Sequence, residues 1–317
     1  MNFEQFAPDS PSSEDLRTKY PLDKNTELSI LNKRNKINKA ISSGIGNMVI
    51  IGPCAFYGTN QTLHTESDNL ATLENETGLI VLQRQAIWKP RSKTIDWHGP
   101  ETTDPEEAYS NIHNIATKNA HGASEIGHYN QIERYGSMLS MIWFGARNND
   151  TTLKKRVAEW DHSLPIGIKN SIYNPIEQAI AEVNAINSVR GNSSETGQAI
   201  LIYRGGKNAQ NPEDWEKNYL DAYEQTKGKI IVDSAHGGEM AFDPKLEYRK
   251  SIEGQKKCLE KISELCLRGY RPLGIMTEAS DTIIESPEKN VDPNMPFDEA
   301  THILSKIGNL DSLSSLR

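Results

Sequence analysis

Eight stretches of this chain share one form: a short apolar, often β-branched run that ends on or near a residue able to do chemistry. NMVIIGPC ends on Cys54, and LIVLQRQAIWKPR runs through Arg84 to Lys89 and Arg91. GASEIG carries Glu125, MIWFGAR ends on Arg147, and LPIGIKN reaches Lys169. ILIYRGG delivers Arg204, KIIVDSAH ends on His236, and PLGIMTEAS carries Glu278. A run of this kind reads as a strand buried on both faces that brings a polar side chain to a rim. Eight of them predict an α/β fold, the (β/α)₈ or TIM barrel, with its active site at the C-terminal ends of the strands.

The length of 317 residues suits one barrel of about 250 residues with an N-terminal extension. Residues 1–45 are expected to form an arm and a helix, and 46–317 the catalytic barrel. A net charge of −8 argues against nucleic acid and anionic membrane as partners of the whole surface. Any anion site must therefore be local and concave. No apolar run approaches the roughly 20 residues that span a bilayer. The polar start, MNFEQFAPDSPSSEDL, lacks the apolar stretch of a signal peptide. Three cysteines form no disulfide framework, which fits a cytoplasmic location.

Up to about residue 25 the chain contains Pro8, Pro11 and Pro21 and reads as an arm ordered by packing. From Thr26 to Ser42 a thin apolar face of Leu28, Leu31, Ile37 and Ile41 predicts a surface helix. Asp104-Pro105, Asn174-Pro175 and Asn211-Pro212 each place a capping residue before a proline in the first helical position. Ile176, Ala179, Ile180, Val183 and Ile186 then form a stripe able to lie on a sheet. The segment from Ser188 to Gln198 reads as a loop, and a closing helix is expected near Phe297 to Ile307.

Six cations, Arg84, Lys89, Arg91, Arg147, Lys169 and Arg204, fall at the same end of several predicted strands. Like charges gathered this closely are tolerated when an anion joins them. Arginine offers a planar fork for phosphate or carboxylate, and lysine a mobile point charge. Cys54, His236 and Glu278, with Asp292 in the loop beyond the last strand, form a mixed thiolate, imidazole and carboxylate set. Such a set suits Mn²⁺, Fe²⁺, Co²⁺ or Zn²⁺, although a lone cysteine after Gly-Pro is more often a small buried residue than a ligand. Cys258 and Cys266 sit on a helical stretch as core. His121, His128 and His162 show no ligand spacing.

The motifs IGPC, KPR with Trp97 and Gly99 after it, GAR, GIKN, RGG, VDSAH, GIMTE and VDP occur in this order. Over roughly residues 17–310 the chain resembles the class I 3-deoxy-D-arabino-heptulosonate 7-phosphate (DAHP) synthases. These metal-dependent transferases condense phosphoenolpyruvate with erythrose 4-phosphate at the entry to aromatic amino-acid biosynthesis. The resemblance implies that Cys54, His236, Glu278 and Asp292 bind the metal. It assigns Arg84, Lys89, Arg147, Lys169 and Arg204 to phosphoenolpyruvate, with Glu125 beside it. Arg91 and Ser92 match the pair that takes the aldose phosphate. Lys89 is then the better proton donor to the new alkoxide, His236 a partial one, and Glu125 the group that orients or activates water. A homo-oligomer, dimer or tetramer, is also implied.

Departures from the family pattern fall in the loops. Trp88 precedes KPR where Glu is usual, Asn148-Asn149-Asp150 follows GAR, and Ser171 to Asn174 follows the lysine. The region between Lys169 and Arg204 is shorter than in well-known members, where it carries a regulatory hairpin, so weak or absent inhibition by phenylalanine, tyrosine or tryptophan is expected. These changes leave room for a specialised synthase that takes another phosphorylated aldehyde, such as an amino- or imino-sugar phosphate. An inactive regulatory homologue is the third reading; no ligand or arginine is missing to favour it.

Overall fold

A strand covered by helices on one side and a packed lumen on the other has no face for water, and its side chains are apolar in both directions. The computed structural model describes residues 11–53, 60–85, 87, 104–118, 121–191, 197–205, 209, 211–242, 251–280 and 295–314. Its strands are β1 (Met48–Gly52), β2 (Ile80–Gln85), β3 (Gly122–Glu125), β4 (Leu139–Phe144), β5 (Ile166–Lys169), β6 (Ala199–Tyr203), β7 (Ile230–Asp233) and β8 (Gly274–Glu278). They pair in parallel in sequence order and close, with Met48 opposite Gly274 and Gly52 opposite Glu278. All eight predicted runs are therefore strands of one (β/α)₈ barrel.

Alternation along each strand divides the core in two. Met48, Ile50, Ile80, Leu82, Ala123, Met141, Trp143, Ile200, Ile202, Ile231 and Met276 form the cluster that fills the lumen. Their neighbours Val49, Ile51, Val81, Ile142, Phe144, Ile168, Leu201, Val232 and Ile275 belong to the cluster shared with the outer helices. Those helices are α3 (Asn60–Thr77), α4 (Pro105–Thr117), α5 (Tyr129–Tyr135), α6 (Thr151–Trp160), α7 (Ile176–Val189), α8 (Pro212–Thr226), α9 (Ser234–Ala241), α10 (Ile252–Leu267) and α11 (Phe297–Ser314), preceded by α1 (Ser13–Lys19) and α2 (Lys24–Ser43).

The helix starts follow the proline signals with one shift. Asp104 accepts from the Glu107 amide at 2.9 Å, and Asn211 from the Asp214 amide at 2.8 Å, each before a proline in the first turn. At α7 the cap is Pro175 itself, whose ψ of 143° is extended, so the helix begins at Ile176 and Asn174 does not cap it. Ala179, Val183 and Ile186 are buried from its stripe. Cys258 is buried, and Cys266 packs partly buried against the core.

Two expectations for the N-terminal region need correction. Within the supposed arm, Ser13–Lys19 is a helix with a reciprocal capping box between Ser12 and Asp15, and Leu16 packs into the core. α2 is no surface helix. Its Ile37, Ala40 and Ile41 join the lumen cluster, so it plugs the N-terminal mouth of the barrel. Two of its basic residues, Lys33 and Arg34, are buried and partnered, while Lys36 and Lys39 face solvent. Arg34 pairs with Asp161 at 2.7 Å and donates through Nε to the Leu139 carbonyl at 2.9 Å, while Lys33 pairs with Glu74. Asn38 donates to the Ser163 carbonyl at 2.8 Å. Leu28 and Leu31, counted in the apolar face, are the exposed ones. Plugging one end leaves the other, where the strands finish, as the open mouth.

Candidate active site

At that mouth the lumen ends in Trp143, a fully buried indole on β4. The Arg84 guanidinium from β2 and the Lys169 ammonium from β5 each lie 5.8 Å from its ring centroid, within reach of cation–π attraction. The indole N–H donates to Glu125 Oε2 at 3.4 Å. One aromatic floor thus carries two cations and a carboxylate from β2, β3 and β5. Gly145 makes room for that carboxylate, because a Cβ there would fall 2.0 Å from Glu125 Oε1. Arg84 also pairs with Glu278 of β8, both buried.

Asp233, the last residue of β7, is the hub of the opposite wall. It is fully buried, and its Oδ2 lies 2.7 Å from both Lys169 Nζ and His236 Nδ1. Its Oδ1 accepts from the His236 amide at 3.1 Å, which caps α9 and fixes the turn that carries the histidine. Burial alone would raise the Asp233 carboxyl, but His236 and Lys169 hold it well below the usual carboxylate range. Burial lowers the pKa of Lys169 and Arg84 adds to the effect, with Asp233 and Glu125 opposing it.

Asn170 explains the pairing of the GIKN and RGG motifs. Its buried amide donates to the Gly205 carbonyl at 2.6 Å and accepts from the Arg204 amide at 2.9 Å. This clamp sets Arg204, half-buried, directly beyond β6 and next to the Lys169 strand end. Gly205 has φ +96°, a left-handed turn that favours glycine.

The structure thus brings together Arg84, Glu125, Lys169, His236 and Glu278, and places Arg204 beside them. Arg147 lies in the turn after β4 and is exposed. Cys54, Lys89, Arg91, Ser92 and Asp292 lie outside the described residues. Among the described residues no group of three His, Cys, Asp or Glu side chains is placed to hold a metal. The two expected ligands that are described do fit one. The Asp233 carboxylate lies 2.7 Å from His236 Nδ1, on the side away from Nε2, and a carboxylate behind the imidazole is the usual arrangement at a metal-bound histidine. Glu278 brings a buried carboxylate whose charge is felt at Asp233.

Sequence reasoning missed Trp143, Asp233 and Asn170. Trp143 reads as one more core aromatic in MIWF. Asp233 did carry a signal, an acid three residues before His236 at a strand end, and Asn170 sits inside a motif already singled out.

A sequence profile described as the DAHP synthetase I family matches residues 25–280. No curated protein matches the chain. Among solved structures, the chain is similar to the phospho-2-dehydro-3-deoxyheptonate aldolase of Francisella tularensis SCHU S4, at 16% identity and a TM-score of 0.76. That likeness covers 96% of this chain and 97% of the other, and it establishes the same fold. With a profile match over most of its length, on a barrel whose mouth gathers Arg84, Glu125, Lys169, His236 and Glu278, the chain belongs to the DAHP synthetase I family and is a carbon–carbon bond-forming transferase of the DAHP synthase type.

Proposed function

We propose that the protein condenses phosphoenolpyruvate with erythrose 4-phosphate, releasing phosphate and DAHP, with a divalent transition metal as cofactor. The observation that carries this reading is the shared floor of Trp143, which holds Arg84 and Lys169 together at the open mouth with Arg204 clamped alongside. Cations gathered this closely suit a small ligand bearing both carboxylate and phosphate. Cys54, His236, Glu278 and Asp292 hold the metal, which when bound supplies Lewis acidity at the aldehyde oxygen.

The chain's own residues do the rest. Arg84, Lys89, Arg147, Lys169 and Arg204 neutralise and orient phosphoenolpyruvate so that its methylene carbon faces the aldehyde of an aldose whose phosphate is held by Arg91 and Ser92. As the new carbon–carbon bond forms, Lys89 gives a proton to the alkoxide, and His236 shares this role in part. Glu125, fixed by the Trp143 N–H, orients the water that adds to C2 and takes its proton. The resulting hemiketal phosphate then expels inorganic phosphate. The same reading takes the enzyme to be a cytoplasmic homo-oligomer. No helix among the described residues is long and apolar enough to cross a membrane.

A second reading, a synthase for another phosphorylated aldehyde, is favoured by one feature. The loops that depart from the family pattern contribute Asn148, Asn149, Ser171 and Asn174 to a crevice beside Lys169 that Asn170 and Gln178 of α7 also line. Carboxamide walls can recognise an added hydrogen-bonding group on an acceptor. Phosphate release from phosphoenolpyruvate, measured with a panel of phosphorylated aldoses with and without Mn²⁺, tests both. Preference for erythrose 4-phosphate supports the first reading, preference for an amino-sugar phosphate the second, and no release with any aldose refutes both.

A further inference from the structure

The geometry points to Asp233 as a positioning residue that couples the two halves of the site, so that the divalent cation and the anionic substrate bind cooperatively through one shared carboxylate oxygen. This rests on the proposed function, in which His236 binds the metal and Lys169 binds phosphoenolpyruvate, but it assigns a role that those contacts do not require.

Asp233 Oδ2 lies 2.7 Å from the metal-side imidazole and 2.7 Å from the substrate-side ammonium. The carboxylate is fully buried, so no solvent evens out a change in the charge around it. A cation on the far nitrogen of His236 raises the positive charge of the imidazole that lies 2.7 Å from Asp233 Oδ2. An anion at Lys169 draws the ammonium's charge away from the same oxygen. The first change compensates Asp233 for the second, and each ligand lowers the cost of binding the other. The shape of the hub limits adjustment. Oδ1 is tied to the His236 amide at the start of α9, and the Lys169 ammonium sits over Trp143.

Coupling of this kind is reciprocal: the factor by which Mn²⁺ tightens phosphoenolpyruvate equals the factor by which phosphoenolpyruvate tightens Mn²⁺. Direct attraction between the two ligands also contributes, and it does not depend on Asp233. Asp233→Asn separates the two effects. The amide keeps the size and the helix cap but removes the charge, and it has only one acceptor oxygen to offer.

The experiment measures phosphoenolpyruvate binding by calorimetry on the full chain, metal-free and Mn²⁺-loaded, and Mn²⁺ binding by paramagnetic resonance with and without phosphoenolpyruvate. In the wild type each ligand should tighten the other by about fivefold or more. In Asp233→Asn both ligands should still bind, with the mutual factor reduced by about fivefold. If the variant does not fold, Asp233→Glu, which retains the charge but displaces the oxygens, should show the same loss of coupling. An undiminished factor in a folded variant overturns the inference and leaves the proposed function standing. A wild type that binds neither ligand overturns both.

Discussion

Arg84 and Glu278 meet across the mouth of the barrel, from β2 and β8, the two strands that flank β1. The pair joins a residue assigned to the substrate to one assigned to the metal, and neither side chain has appreciable contact with solvent. Removing one charge from a buried pair costs roughly 3–5 kcal/mol, whereas removing both is far less harmful. Glu278→Gln should therefore lower the urea midpoint markedly, and Arg84→Met in the same chain should recover part of the loss. Additive losses in the double variant would show that the pair is not coupled.

Arg147→Ala, Lys169→Ala and Arg204→Ala should each weaken phosphoenolpyruvate binding by about 2 kcal/mol or more, roughly 30-fold. Lys169→Ala should also lose stability, because the buried Asp233 carboxylate then loses the ammonium 2.7 Å from its Oδ2. Calorimetry with phosphoenolpyruvate alone decides the matter, and wild-type affinity in any of the three removes that residue from the anion site.

Chelation should abolish turnover, and a divalent transition metal should restore it. Cys54→Ser should shift the Mn²⁺ requirement upward strongly, because a hydroxyl is a poor replacement for a thiolate. Full turnover by protein shown to be metal-free would contradict the ligand assignment.

At the closed end, Arg34→Ala should destabilise the fold by about 3–5 kcal/mol while changing phosphoenolpyruvate affinity by less than about twofold. Arg34 is 5% exposed and binds Asp161 and the Leu139 carbonyl, far along the strands from the mouth. Denaturation and calorimetry on the same variant measure the two effects separately.

His121, just before β3, gives a pH dependence. Burial, reinforced by Lys33 and Lys36 and opposed by Glu74, lowers its pKa from 6.5 to about 4. A base with a depressed folded pKa is neutral in the native state but takes up a proton on unfolding below pH 6.5. Stability should therefore fall as pH drops from 6.5 towards 4, by at most about 1.4 kcal/mol per pH unit from this group. His121→Gln should remove that part of the slope in urea denaturation across this range, and an unchanged slope would assign it elsewhere.

The barrel was legible because a strand buried on both faces leaves an unmistakable apolar run, and Arg84, Glu125, Lys169, His236 and Glu278 stand at or near the ends of such runs. What was hidden depends on partners distant in sequence. The burial of Lys33 and Arg34 is invisible until Glu74 and Asp161 stand opposite them. Asp233 looks like a helix cap until Lys169 arrives from another strand. Trp143 is apolar in the sequence and becomes part of the site only because the lumen ends there.

The plug at the closed end also bears on how the chain assembles. α2 emerges before every barrel strand in synthesis, yet Arg34 waits for Asp161, 127 residues later, and Asn38 for the Gln198 amide, 160 residues later. Lys229 reaches back to the Ser42 carbonyl across 187 residues. Contacts of such span form slowly, because a long loop must close before they contribute anything. Until then Ile37 and Ile41, together with the lumen they seal, are bare apolar surface on a nascent chain, which makes an early segment one of the last to find its place and a natural client for a chaperone.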